Sequence, residues 1–273
     1  MTAIKHPAIR YHGAKYRLAP WIIDLMPEHK CYVEPFGGAA GVLLQKPRSY
    51  AEVYNDLDSD VVNFFQVLRD PDLNHQLREA CLLTPYSREE FTKAYEYCDE
   101  PVERARRMVI RATMGFGSGG AAARTGFRGD TKRKYATAAD LWARYPDNLT
   151  ALCQRLQGVI IENKDALEIM RAHDAPTTLH YIDPPYLPEV RSWRGGTYRH
   201  EMNIEGHEQL LSVVLTLQGM VMISGYDSEL YNDYLKGWEK QTKAARISGG
   251  RGTTLRMECL WLSPACGAKE CAA

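Results

Sequence analysis

Apolar positions along the chain fall into two kinds of run that alternate. Short apolar runs that stop at Gly, Pro or Asp read as strands. They lie at 31–33, at 51–56, at Tyr181-Ile182, at 220–224, near 241–246 and near 257–262. Between them, apolar residues recur at helical spacing. Residues 60–69 carry Val61, Val62, Phe64, Phe65 and Leu68 on one face, and Asp70-Pro71-Asp72 closes that helix. Further helices are expected at 73–83, 88–98, 102–114, 205–217 and 228–235, and Ser87 with Glu90 forms a candidate capping box for the second of these. Strands and helices thus alternate on both sides of a purely helical middle. The pattern predicts a three-layer α/β fold interrupted by an insert.

Two of the strand ends carry candidate chemistry. The run Tyr181-Ile182 leads into Asp183-Pro184-Pro185-Tyr186. Consecutive prolines donate no backbone hydrogen bonds and push the preceding residue to extended geometry, so the strand stops and its carbonyls are left free. A carboxylate, free carbonyls and a flat ring together suit a planar aromatic amine. Such an amine is a poor nucleophile, and acceptors that hold its hydrogens favour the tetrahedral nitrogen that attacks. The bland alternative is a Pro-Pro loop in which Asp183 is only a cap. The second strand end lies in residues 31–44, where Cys31-Tyr32-Val33 enters Glu34-Pro35-Phe36-Gly37-Gly38-Ala39-Ala40-Gly41 and a helix is expected to follow. Asp56 closes the next strand, 19 residues after Gly37, near the spacing at which nucleotide-binding folds place an acid on ribose hydroxyls. No Gly-Lys-Ser/Thr follows the glycines, and the Gly-x-Gly-x-x-Gly order is absent. The pattern points to a ligand with an adenosine but no pyrophosphate.

Composition narrows the class. With 273 residues and 45% hydrophobic content the chain can hold one large α/β core plus a small insert. No apolar run reaches the roughly 18–20 residues of a membrane span, and Lys5, His6 and Pro7 argue against a secretory signal, so a cytoplasmic location is expected. The seven cysteines are scattered without a Cys-x-x-Cys pair, and no two histidines stand at His-x-x-x-His spacing; neither disulfides nor a metal are expected. Net charge is zero, but Arg104 to Lys134 hold nine Lys or Arg against the single acid Asp130. A basic concentration of this kind is a footprint expected where phosphates are neutralised. Within it, the glycine-rich stretch 115–120 and the following Arg124, Phe127 and Arg128, with Lys132, Arg133 and Lys134, are candidate DNA contacts, the loop ordering on DNA. A second mixture of cations and aromatics, including Arg191, Trp193, Arg194, Tyr198 and Arg199, follows the Asp-Pro-Pro-Tyr loop and is placed either to contact nucleic acid or to form the core of a lid over the site.

Taken in order, Arg10-Tyr11-His12-Gly13-Ala14-Lys15-Tyr16, Val33-Glu34-Pro35-Phe36-Gly37-Gly38, Asn55-Asp56 and Asp183-Pro184-Pro185-Tyr186 resemble the Dam-type DNA adenine methyltransferases, with the look of a bacteriophage or prophage member. Met222 to Asp227 and Glu258 to Leu262 are similar to the family's late strands. The resemblance implies a Rossmann-like S-adenosylmethionine-dependent methyltransferase sheet with helices on both faces and a mainly helical target-recognition insert. It divides the chain into a catalytic first part at 1–69, the insert at 70–150 and a catalytic second part at 151–273. It further implies methyl transfer from S-adenosylmethionine to the 6-amino group of adenine in double-stranded DNA after base flipping, with Asp183, Pro184, Pro185 and Tyr186 catalytic. Tyr11, Lys15, Glu34, Pro35, Phe36, Gly37, Gly38, Asp56, Asp165 and Asp183 are assigned to the donor, Asp165 at the end of a strand near 159–165. Ala166-Leu167 stand where the family usually has an aromatic after that acid. The family's Asn-Val-Pro-Phe-Gly segment is absent, so GATC specificity is not carried over. Alternatives at this point are methylation of the cytosine 4-amino group and an idle DNA-binding protein; a monomer is favoured.

Overall fold

The short apolar runs become a seven-stranded sheet in the computed structural model, which describes residues 4, 6–121, 123–131, 136–187, 189, 199–249 and 252–267. The strands are β1 (Cys31–Glu34), β2 (Ala51–Asn55), β3 (Val159–Glu162), β4 (Thr178–Ile182), β5 (Met220–Gly225), β6 (Glu239–Gly249) and β7 (Gly252–Leu262), in the order β3-β2-β1-β4-β5-β7-β6. β1 to β5 are parallel, and β7 runs antiparallel to both β5 and β6. The chain lays down β1, β2 and β3 outward in one direction and then returns to place β4 on the other side of β1. That reversal makes the β1/β4 pair a topological switch point, where open α/β sheets leave a crevice beyond their carboxyl ends. Pairing of Val33 with His180 brings the loops after Glu34 and Ile182 out side by side.

Alternation along each strand supplies a different core on each face. In β4, Leu179 and Tyr181 join a cluster with Phe64, Val109 and Leu152, whereas Ile182 joins Leu210, Leu211 and Tyr231 on the opposite face. Helices therefore cover both faces. α1 (Ala19–Asp24), α2 (Ser59–Arg69), α5 (Pro101–Met114) and α7 (Leu149–Leu156) contribute to the first cluster, and α9 (Ile204–Val214) and α10 (Glu229–Tyr234) to the second. α8 (Ala166–Ala172) adds Ile169 against Val33 and Val53. The helices between α2 and α7, namely α3 (Pro71–Leu83), α4 (Arg88–Lys93), α5 and α6 (Ala138–Arg144), share the first cluster through Leu77, Phe91, Met108 and Trp142. These helices are thus packed on the sheet's own core.

Three expectations are corrected. The helix expected after the glycine turn is a series of turns over 41–46, in which i−4 and i−3 bonds mix, the Gln45 amide takes the Gly41 carbonyl, and Pro47 follows at once. The helix expected over 88–98 ends at Lys93, because Arg111 and Arg107 of α5 accept nothing but donate to the carbonyls of Ala94, Glu96 and Tyr97, replacing the bonds a longer helix would make. α6 and α7 were not expected; each is too short, at 7 and 8 residues, to show a periodic stripe, although Thr137 and Asp140 form a complete capping box. In the candidate box at α4, Ser87 accepts from the Glu90 amide.

Candidate active site

The glycine turn after β1 is fixed by what lies beneath it. The Tyr54 hydroxyl donates to the Gly38 carbonyl at 2.7 Å, and a Cβ placed on Gly37 would sit 2.1 Å from the Tyr54 ring. Gly38 has φ +47°, and the Tyr11 ring comes within 3.3 Å of where its side chain would be. A side chain has no room at Gly37 and would be strained at Gly38. The turn is tied to β2 by Gly37 N–H donating to Asn55 O and by the Asn55 amide donating to Pro35 O, while the same amide also reaches Lys164 O after β3. One asparagine thereby holds three strand ends in register. Glu34 points inward: one carboxyl oxygen accepts from the Tyr32 hydroxyl at 2.8 Å and from Leu43 N–H at 3.1 Å, and burial pushes its pKa up to about 8. Its carboxyl acts as a brace under the turn.

Asp56 accepts from Gly38 N–H and Asp58 N–H, both at 2.8 Å, and burial raises its pKa to about 6. Asp165 is exposed and caps α8 by accepting from Leu167 N–H and Glu168 N–H. Asp56, Asp165, Phe36, Gly37, Tyr11 and Asp183 all line one cavity of about 270 Å³ beyond the carboxyl ends of β1, β2, β3 and β4. The helix cap and the cavity wall are the same residue in Asp165.

At the β4 end, Lys15 is 7% exposed, with its Nζ 2.8 Å from Asp183 Oδ1 and 3.1 Å from Oδ2, where its hydrogen bond is directed. Burial raises the Asp183 pKa, and the Lys15 ammonium opposes that rise. The same Nζ lies 3.3 Å from Glu258 of β7 and 4.6 Å above the Tyr186 ring. The Tyr186 hydroxyl donates to Glu258, and its ring meets the Tyr226 ring edge-on at 4.8 Å. Lys15, Asp183, Tyr186 and Glu258, from three distant parts of the sequence, converge at the end of β4, where Lys15 and Asp183 line the cavity and Tyr186 and Glu258 stand behind them.

The comparisons with known proteins decide the class. The family model of D12 class N6 adenine-specific DNA methyltransferases matches residues 11–248. The chain belongs to that family. It is also 26% identical over 278 residues to the type II methyltransferase M1.LlaDCHI of Lactococcus lactis subsp. cremoris, covering 91% of each chain. Among solved structures, the precorrin 8w decarboxylase of Methanobacterium thermoautotrophicum aligns over 90% of this chain and 89% of that chain, at 11% identity and a TM-score of 0.35, a likeness that carries no argument. This D12-class methyltransferase is accordingly an enzyme of DNA adenine methylation, and its family implies S-adenosylmethionine as methyl donor.

The methyltransferase's basic middle segment is less available than its sequence suggests. Arg104 and Arg111 pair with Asp60, Arg106 with Glu90 and Glu103, and Arg107 with Glu103, so the arginines of α5 are neutralised within the fold. Arg128 is corrected as a surface contact: it is 2% exposed and faces Asp130 at 3.5 Å. Phe127 is likewise turned to packing, against Tyr86 and Phe91 with Arg88 over its ring. Arg124 is exposed, 5.4 Å above Tyr95. Lys132, Arg133, Lys134, Arg191, Trp193, Arg194 and Tyr198 lie outside the described residues. Sequence reasoning missed Glu258, which was read only as part of a late strand; Arg199, counted there among the cations after the Asp-Pro-Pro-Tyr loop, lines the cavity and bonds Asp58 and Asp60 at 2.8 Å. The signal for Glu258 is a lone carboxylate interrupting the apolar run 257–262.

Proposed function

We propose that the cavity at the β1/β4 switch point binds S-adenosylmethionine on its β1–β3 side and the 6-amino group of a flipped adenine at Asp183. The observation that carries this reading is the meeting of a glycine turn with room for no side chain, two acids at neighbouring strand ends and the Asp-Pro-Pro-Tyr loop in one cavity of about 270 Å³. These residues fit the donor: Gly37 and Gly38 give close backbone approach, Asp56 is an acceptor for ribose hydroxyls, and Asp165 an acceptor for the adenine amine. Tyr11, Lys15, Glu34, Pro35 and Phe36 shape and brace the same wall. When bound, the donor supplies a methyl group already activated on a sulfonium.

The chain's own work is then positioning. Asp183 and the Pro184 carbonyl accept the two hydrogens of the target amine, turning its lone pair toward the donor side. Pro185 keeps the loop extended, and the Tyr186 ring stacks on the extruded base. Residues 70–150 act as the recognition insert on duplex DNA, and Arg124, Lys132, Arg133 and Lys134, together with Arg191 and Arg194, which follow the Asp-Pro-Pro-Tyr loop in the sequence, serve as phosphate or groove contacts. The enzyme acts as a monomer in this reading. The test is methyl transfer from labelled S-adenosylmethionine to unmethylated genomic DNA, with donor binding measured in parallel. Asp183→Ala is expected to lose at least about a hundredfold in turnover per donor-loaded site. Retained turnover would remove Asp183 from the chemistry.

A further inference from the structure

We propose that Glu258 is a positioning residue of the methyl-transfer site, sharing Lys15 with Asp183 so that Asp183 keeps an acceptor available for the substrate amine. This rests on the reading of Asp183 as the amine acceptor. β7 alternates strictly: Cys259 and Trp261 pack into one core cluster, Leu260 and Leu262 into the other. Glu258 occupies the next position on the Leu260/Leu262 face, 4% exposed, where the pattern of the strand calls for an apolar residue. A carboxylate buried there is costly unless it is paired and hydrogen-bonded. Its partners are Lys15, 3.3 Å away, and the Tyr186 hydroxyl, and both meet the same oxygen, Oε1.

The arrangement is one ammonium between two carboxylates. Lys15 contacts both oxygens of Asp183, at 2.8 and 3.1 Å, and those are the oxygens an incoming amine must use. A lysine with Asp183 as its sole counter-ion would compete with the substrate for them. Glu258 gives the ammonium a second seat, so Lys15 can lean toward β7 when the amine arrives. The Tyr186 hydroxyl, held on the same Glu258 oxygen, and the edge-on Tyr226 ring at 4.8 Å fix the plane of the Tyr186 ring at the same time.

Charge and shape can be separated by two variants. Glu258→Gln keeps the volume and an acceptor for Tyr186 but removes the charge; Glu258→Asp keeps the charge and loses one methylene. Single-turnover methyl transfer to unmethylated genomic DNA is measured per donor-competent site, counted by S-adenosylmethionine titration, so that a poorly folded fraction does not enter the rate. The expected order is E258Q slowed at least about tenfold and E258D within about threefold of wild type, with donor affinity unchanged in both. In a Lys15→Met background, E258Q is expected to add less than about twofold, because the ammonium it would release is gone. E258Q faster than E258D, or a full multiplicative effect on Lys15→Met, would make Glu258 a packing residue and overturn the proposal. An active wild type with an unimpaired E258Q overturns this inference alone. A wild type that moves no methyl to adenine overturns the reading of Asp183, and this one with it.

Discussion

Replacing Gly37 with alanine adds one carbon at the point where the donor turn crosses β2. That carbon would lie 2.1 Å from Tyr54 Cε2 and 2.6 Å from two further ring atoms. Nothing at such a distance can remain in place, and the ring has little freedom to move. Its hydroxyl is bound to Gly38 O at 2.7 Å, its body packs on Phe65 with ring centroids 4.5 Å apart, and the residue is fully buried. Relief comes either from the ring, at a cost of about 1–3 kcal/mol for overpacking plus about 1 kcal/mol for the lost hydroxyl bond, or from the turn. The second route moves Gly38 N–H away from Asp56, its partner at 2.8 Å, and disturbs the cavity wall. Calorimetric titration with S-adenosylmethionine and urea unfolding read the two routes. Gly37→Ala is expected to lower donor affinity at least about tenfold or to lose about 2–4 kcal/mol of stability. Gly126→Ala, where the added carbon meets nothing within 4 Å, is the control and is expected to change neither. A Gly37→Ala enzyme with wild-type affinity and stability would show that the turn is not fixed by Tyr54.

Glu34 provides a pH test. Its folded pKa of about 8 lies above the unfolded carboxyl value, so the folded state holds a proton that the unfolded chain releases; its contribution is fully present below the unfolded pKa and is lost as pH rises toward 8. Glu34→Gln is the shape of the protonated acid and removes that slope, so urea unfolding should show the variant gaining on wild type between pH 5.5 and 8.5; a pH-independent difference would contradict the burial account. Asp60 collects Arg104, Arg111 and the exposed Arg199, which also holds Asp58, and Asp60→Ala is expected to cost about 2–4 kcal/mol in unfolding experiments, chiefly by leaving the partly buried Arg104 and Arg111 guanidinium groups without their common acid; a loss below about 0.5 kcal/mol would make the cluster ornamental to stability. Arg124→Ala should reduce the salt slope of DNA binding by about one, whereas Arg106→Ala should lower stability and leave the slope unchanged, since Arg106 is held by Glu90 and Glu103. Equal slopes for the two variants would refute the division between exposed and internally paired arginines.

Much of the sheet was legible because its strands end in residues with one meaning. Pro184 and Pro185 stop β4, Gly37 and Gly38 permit the tight turn after β1, and Asp56 follows β2 directly. The helices with long apolar faces, such as α2 and α5, were legible for the same reason. The short helices α6 and α7 were not, because two turns carry too few positions to show a period. Arginines misled in the other direction. A charge count along residues 104–134 has no knowledge of Asp60, Glu90 and Glu103, which tertiary packing places against α5. Glu258 lies 75 positions from Asp183 and 243 from Lys15 in the sequence, and only the order of β5, β7 and β4 in the sheet brings it to the catalytic loop. Gly37, Gly38 and Asp56 are neighbours in the sequence; Lys15, Asp183 and Glu258 are brought together by topology.

The central claim is that Asp183 and its neighbours present an adenine amine to the donor cavity. Its most direct test is sequencing, at single-nucleotide resolution for modified bases, of DNA from a methylation-deficient host expressing this protein or its Asp183→Ala variant. The account predicts N6-methyladenine confined to one short motif with the wild type and none with the variant. Modified cytosine in place of adenine, or adenine methylation that persists in the variant, would contradict it.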